Sequence, residues 1–351
     1  MSSFKERVEE GLAGKYQGLP NGFDRINKYI FGIQRQTYYL VGGNSGSGKT
    51  TLIDYMLVNA LEEAHKQGIK MNVFYYSYEI NEFSKKANWL SQIIFRKHKR
   101  IISPETIKGL GDNRMTEEER AIVDAEIPYL EELFAMIMWV FEPQNPTGML
   151  KAWWSFMETR GTFIKESYID EHKETKERIV KFIPTDPSEY NLIVLDHMAL
   201  CKTERGFTLK ENLDKLSEYG IRVRNLFGMT MLWLQQYNQG LNSVDRQKFK
   251  GVDISPQQSD FKDSTNPYTD ADVVLGLMNA YRMDLTECIG YNLTKLKDHF
   301  RLLKIIKNRS SKDNIALGTY FMPEAGIFRE LPEAKLMTNE IYDKINKIKN
   351  E

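Results

Sequence analysis

The chain has 351 residues, 48 Lys and Arg against 48 Asp and Glu, and 41% hydrophobic residues, a composition that fits one large α/β domain or two small ones. Zero formal net charge excludes a chain-wide basic coat, so any nucleic-acid contact has to come from local loops. Cys201 and Cys288 lack metal-ligand spacing and argue against a disulfide scaffold, and the longest apolar run, Leu133 to Phe141, is too short to span a bilayer. The expectation is a cytoplasmic protein with no membrane partner.

In chain order, the N-terminus lacks the apolar segment of a secretion signal, and residues 4–12 place Phe4, Val8 and Leu12 on one side of a short helix. Residues 1–17 are read as a linker-like helical segment, residues 18–330 as one main domain, and residues 331–351 as a helical tail. Gly18 to Asp24 reads as a turn into a helix start, and a second turn at Gly32 leads into the first core strand, Tyr38 to Val41.

The next stretch organises the rest. Gly43-Asn44-Ser45-Gly46-Ser47-Gly48-Lys49-Thr50 fits G-x-x-x-x-G-K-[ST], between an apolar strand and the helical pattern from Leu52, with Thr51 beside it. Glycines let backbone N–H groups converge on one point, and the helix N-terminus adds positive potential there. Lys49 would neutralise the β- and γ-phosphate oxygens of ATP, and the Thr50 hydroxyl would ligate Mg²⁺.

Met71 to Ser77 is the next strand, running into Glu79. A carboxylate at that strand end is placed to orient an attacking water, although taken alone it reads better as a solvated strand-end acid. Residues 81–135 read as helices, and the basic run Arg96 to Arg100 as a solvated helix face, with nucleic-acid contact the sharper alternative. Phe134 to Phe141 is a candidate strand, and Asn145-Pro146 opens a helix whose Trp153 and Trp154 read as core. Residues 162–184 alternate as a protruding β-hairpin with a charged tip.

Asp196 ends the buried run Leu192 to Leu195, where it is suited to hold the Mg²⁺ shell through water. Met231 to Leu234 is a further strand, ending in Gln235 and Gln236. Ala271 to Leu277 and Leu302 to Ile306 follow, and Thr319 to Phe321 with Ile327-Phe328 closes an antiparallel hairpin. The fold class is α/β, a P-loop NTPase with a mostly parallel twisted sheet flanked by helices, a β-hairpin insertion and C-terminal antiparallel strands.

Several stretches together resemble the RecA-like motor domain of DnaB-type hexameric replicative helicases. They are Gly18 to Asp24, Ser77-Tyr78-Glu79-Ile80, Leu195 to Leu200, Leu234 to Asn238, and Ser259 to Ser264 followed by Asp270 to Val274. Lys307-Asn308-Arg309 is similar to the family's Lys-x-Arg finger. The resemblance implies that Glu79 polarises the attacking water and that Gln236 senses the γ-phosphate. It implies that Lys307 and Arg309 reach a neighbouring subunit's nucleotide, where an Arg finger is worth about 10³–10⁵ in rate. It also implies a homo-oligomer, a hexameric ring, acting as an ATP-dependent 5′–3′ DNA helicase on single-stranded DNA.

Two loops would face the pore, one carrying Lys202 and Arg205 and the other Arg246, Lys248 and Lys250 interleaved with Phe249. Primase and a helicase loader are the further partners implied. The family's N-terminal primase-binding domain has no match here, which fits a compact phage-type helicase in the host cytoplasm. The 162–184 hairpin has no counterpart in the family, and Gln235, Tyr237 and Gln239 depart from its pattern. The other readings are a RecA-like ATPase that remodels or packages without unwinding, and a nucleotide-gated scaffold.

Overall fold

The computed structural model describes residues 4–112, 114–238, 254–261 and 263–347. Nine strands make its main sheet: β1 Tyr38–Gly43, β2 Met71–Ser77, β3 Ile137–Val140, β6 Tyr190–Asp196, β7 Thr230–Gln236, β8 Val273–Met278, β11 Phe300–Asn308, β12 Ile315–Met322 and β13 Ile327–Glu330. Their order across the sheet is β13-β12-β11-β8-β1-β7-β6-β2-β3. From β8 to β3 the strands run parallel, and β11, β12 and β13 add antiparallel pairings.

The central strands are buried along their length because helices cover both faces, so runs such as Leu192 to Leu195 carry no polar alternation. Those helices include α3 Lys49–Gln67, α4 Glu82–His98, α6 Glu117–Phe134, α7 Pro146–Glu158 and α8 Leu209–Phe227; α1 Phe4–Leu12, α2 Asp24–Ile30 and α5 Pro104–Ile107 complete the first eight. Local signals set their ends. Thr116 and Thr208 form capping boxes with Glu119 and Glu211, and Gly68 and Gly228 close α3 and α8 in the left-handed region. Trp153 and Trp233 are fully buried, as core aromatics. Among the described residues, no helix is long and apolar enough to cross a membrane.

Three peripheral features stand out. α1 buries none of its residues, and Phe4 and Leu12 are about as exposed as side chains can be. β4 Gly161–Ile169 and β5 Thr175–Pro184 pair as a separate hairpin, whose Phe163 and Phe182 pack on Phe227 while the tip carries charge. The short pair β9 Glu287–Cys288 and β10 Tyr291–Asn292 lies between β8 and β11 in sequence.

Candidate nucleotide-binding and catalytic site

β1 runs straight into the Gly-rich loop. Ser47 folds that loop back on itself, its amide and hydroxyl donating to the Asn44 carbonyl at 3.2 and 2.8 Å. Lys49 Nζ donates to the same carbonyl at 2.8 Å. Gly46 and Gly48 sit at φ of 71° and 95°, where a Cβ would be strained. Gly48 is the N-cap of α3 and supplies no side-chain cap, so the helix presents its first N–H groups and its positive dipole end to the loop.

The loop opens on a pocket of about 200 Å³ lined by Ser45, Gly46, Gly48, Lys49, Thr50, Glu79, Asp196, His197 and Gln236. The parallel strands β1, β2, β6 and β7 all end on this side, which is why residues so far apart in sequence meet. Glu79 lies just past the end of β2 and is exposed. Asp196 is the last residue of β6 and is buried; its Oδ1 accepts from the Thr50 hydroxyl at 3.0 Å. Gln236, the last residue of β7, stands opposite Gly43 in the β1–β7 register.

Burial lowers the Lys49 ammonium to about 8, against the opposing pull of the Asp196 and Glu79 carboxylates. An ammonium held against its own desolvation is one that a bound anion stabilises. The buried Asp196 Oδ2 makes no hydrogen bond. A hydroxyl beside an under-coordinated carboxylate is an oxygen donor set suited to a hard divalent cation. Among the described residues no three His, Cys, Asp or Glu gather as a metal site, so such a cation would depend on nucleotide oxygens as well. The residues present therefore fit a nucleoside triphosphate with Mg²⁺.

His197 was not legible as a site residue. Its Nδ1 accepts from the Ala199 amide at 3.1 Å, so Nε2 carries the proton and donates to Gln236 Oε1 at 3.2 Å. Burial lowers its pKa, outweighing the Gln236 hydrogen bond, and keeps the ring neutral. With Oε1 engaged, Gln236 offers its NH₂ group to an acceptor in the pocket.

A second brace lies behind the loop. Arg301, on β11, is 2% exposed and donates Nε to the Ser47 carbonyl at 2.7 Å and Nη1 to the Asp298 and Phe300 carbonyls at 2.5 and 2.9 Å. Its guanidinium lies 4.9 Å from the Phe321 ring centroid, and burial lowers its pKa to about 10.

Lys307 and Arg309 are not in this pocket. β11 runs antiparallel to β8, placing Asn308 opposite Val273, itself opposite Tyr39 at the start of β1. That is the sheet end away from the Gly-rich loop. Lys307 Nζ donates to the Tyr268 and Thr269 carbonyls at 2.9 and 2.7 Å. Arg309 donates to the Thr269 carbonyl at 2.8 Å and lies 3.5 Å from Asp272.

Lys202 and Arg205 lie on the loop after β6, which is pinned by Glu204 to Thr147 and Lys215. Arg246, Lys248 and Lys250 lie outside the described residues. Within the basic run Arg96 pairs with Glu62 at 2.8 Å and Lys97 with Glu126 at 2.6 Å, and His98 hydrogen-bonds the same Glu126 carboxylate at 2.9 Å.

No protein-family model and no curated protein sequence matches the chain. Solved structures do. The chain is similar to a structure of the ATPase domain of a helicase, with a TM-score of 0.68 at 15% identity, over 95% of this chain and 100% of that one. It is similar also to a structure of a DnaB-like replicative helicase and its interactions with primase, with a TM-score of 0.68 at 14% identity, over 95% of this chain and 68% of that one. At these identities the likeness is one of fold, and the chain has the RecA-like fold of DnaB-type helicase motor domains.

Proposed function

We propose that this chain is the ATP-hydrolysing motor of a ring-forming DNA helicase. The observation that carries the reading is the convergence of Lys49, Thr50, Glu79, Asp196 and Gln236 on one pocket at the strand ends. A scaffold that only bound nucleotide would need Lys49 and Thr50, but not a carboxylate and an amide facing them.

In this reading the backbone of residues 43–51 and the Lys49 ammonium hold the ATP phosphates, and Thr50 with Asp196 holds Mg²⁺. When bound, Mg²⁺ supplies charge neutralisation across the phosphate oxygens. Glu79 orients and deprotonates the attacking water, and Gln236, its carbonyl fixed by His197, donates to the transferred phosphoryl. Lys307 and Arg309, remote from their own pocket, serve a neighbouring copy's pocket, which makes hydrolysis depend on assembly. The exposed apolar side of α1 docks on the next subunit, and a hexamer is the expected ring. Single-stranded DNA is held by Lys202 and Arg205 together with Arg246, Lys248 and Lys250. Primase and a loader are partners carried over from the family.

The test is steady-state ATP hydrolysis with and without single-stranded DNA, for the native chain, Arg309→Ala, Glu79→Ala and a mixture of the two variants. Stimulation by DNA, lost in each variant alone and partly restored in the mixture, is the expected result. Hydrolysis indifferent to DNA would move the reading to a RecA-like ATPase acting on another polymer. Full activity of Arg309→Ala would remove the finger.

A further inference from the structure

Behind the pocket lies a charged cluster sealed from solvent. Lys85 on α4 is 0% exposed, Asp54 on α3 is 2% and Asp196 is 1%. Lys85 Nζ lies 3.1 and 3.0 Å from the two Asp54 oxygens and 2.6 Å from the Tyr75 hydroxyl, which itself donates to Asp54 Oδ1 at 2.6 Å. The same ammonium stands 3.5 Å from Asp196 Oδ2, the oxygen that makes no hydrogen bond.

A lysine is fully buried only where carboxylates offset its charge, and here two carboxylates face one ammonium. Asp196 has the Lys85 ammonium behind it and the Lys49 ammonium on the side that opens to the pocket. The cluster's geometry is tied to the loop. Thr50 and Asp54 are one helical turn apart on the same face of α3, so that helix reaches Asp196 twice. Thr50 meets Oδ1 directly, and Asp54 reaches Oδ2 through Lys85.

We infer that Lys85, clamped by Asp54 and Tyr75, is a positioning residue that fixes the Asp196 carboxylate for the divalent cation of the bound nucleotide. This rests on the reading of Asp196 as a holder of the Mg²⁺ shell. Lys85 touches neither nucleotide nor cation; it acts by denying Oδ2 a rotation away from the pocket. The competing account is a buried ion pair that only joins α3 to α4.

The experiment compares Lys85→Met, the double variant Asp54→Asn/Lys85→Met, Tyr75→Phe and Asp196→Asn. Mn²⁺ affinity of the ADP complex is measured by electron paramagnetic resonance, ADP affinity without cation by calorimetry, and fold by urea unfolding. Removing Asp54's charge together with Lys85 avoids stranding that buried carboxylate, whereas removing Lys85 alone leaves both carboxylates without it. The double variant is expected to fold and to bind cation-free ADP as the native chain does, with Mn²⁺ affinity about ten- to a hundredfold weaker. Tyr75→Phe, which removes one hydroxyl and no charge, is expected to weaken Mn²⁺ about two- to tenfold, and it decides the matter should both Lys85 variants unfold. Native Mn²⁺ affinity in the folded double variant, or in Tyr75→Phe if that alone folds, overturns the inference. If Asp196→Asn loses Mn²⁺ affinity while those variants keep it, only the role of Lys85 falls. If Asp196→Asn keeps it, the reading of Asp196 falls.

Discussion

Replacing Arg301 by Met tests whether the Gly-rich loop is held in shape from behind. Methionine retains most of the apolar stem but none of the donors that reach the Ser47, Asp298 and Phe300 carbonyls. Each buried carbonyl left without its donor costs about 1–3 kcal/mol, and two or three of them give about 2–9 kcal/mol. Loss of the contact with Phe321 adds about 1 kcal/mol or less. Against this stands the cost of burying the guanidinium, visible in its lowered pKa, which methionine does not incur. The net loss expected is about 2–4 kcal/mol, a large share of a total stability of about 5–15 kcal/mol. Urea unfolding with and without ADP measures it. The midpoint is expected to fall with an unchanged slope, and the stabilisation given by a fixed ADP concentration is expected to shrink because the loop no longer starts in its binding shape. Arg301→Lys, which can reach fewer of the carbonyls, is expected to fall between. A midpoint within about 0.5 kcal/mol of native together with unchanged ADP affinity would refute the reasoning.

Two further outcomes are expected. His197→Phe keeps a ring but removes the donor to Gln236, so kcat should fall about two- to tenfold with ADP affinity unchanged, measured by steady-state hydrolysis and calorimetry. Burial raises the Glu126 carboxyl, but hydrogen bonds from Lys97 and His98 outweigh it and hold the group below its ordinary 4.5. A carboxyl depressed in the native state stabilises above its unfolded value and loses that contribution as pH falls through the native one. Glu126→Gln should therefore be less stable than native at neutral pH, with the gap closing as pH falls through the lowered native value, in acid unfolding followed by circular dichroism.

Much of the fold was legible because its signals are local. The strand, Gly-rich loop and helix around Lys49 follow from adjacent residues, and Asp196 and Gln236 each end an apolar run that can only be a buried strand. The short helix, the hairpin and the closing antiparallel strands were read in the same way. What was hidden depends on tertiary partners. Lys85 sits in Ser-Lys-Lys-Ala beside Lys86, and nothing in that pattern says that Lys85 is buried while Lys86 pairs with surface glutamates. Arg301 reads as an ordinary polar position in a strand until the Ser47 carbonyl is placed against it. His197 is one residue from Asp196, yet its partner, Gln236, comes from another strand. Sequence order also could not show that the antiparallel turn of β11 carries Lys307 and Arg309 to the far end of the sheet.

That placement has a consequence for exchange between copies. Both cations already have partners: Lys307 closes on the carbonyls at the end of the short helix Asn266–Asp270, and the half-exposed Arg309 reaches Thr269 and Asp272. Any phosphate that recruits them must outbid contacts already made at home. In the proposed arrangement a neighbour's triphosphate, which carries more negative charge than a diphosphate, would compete better for the two cations. The resting contacts would thus set a threshold for releasing the cations to a neighbouring copy.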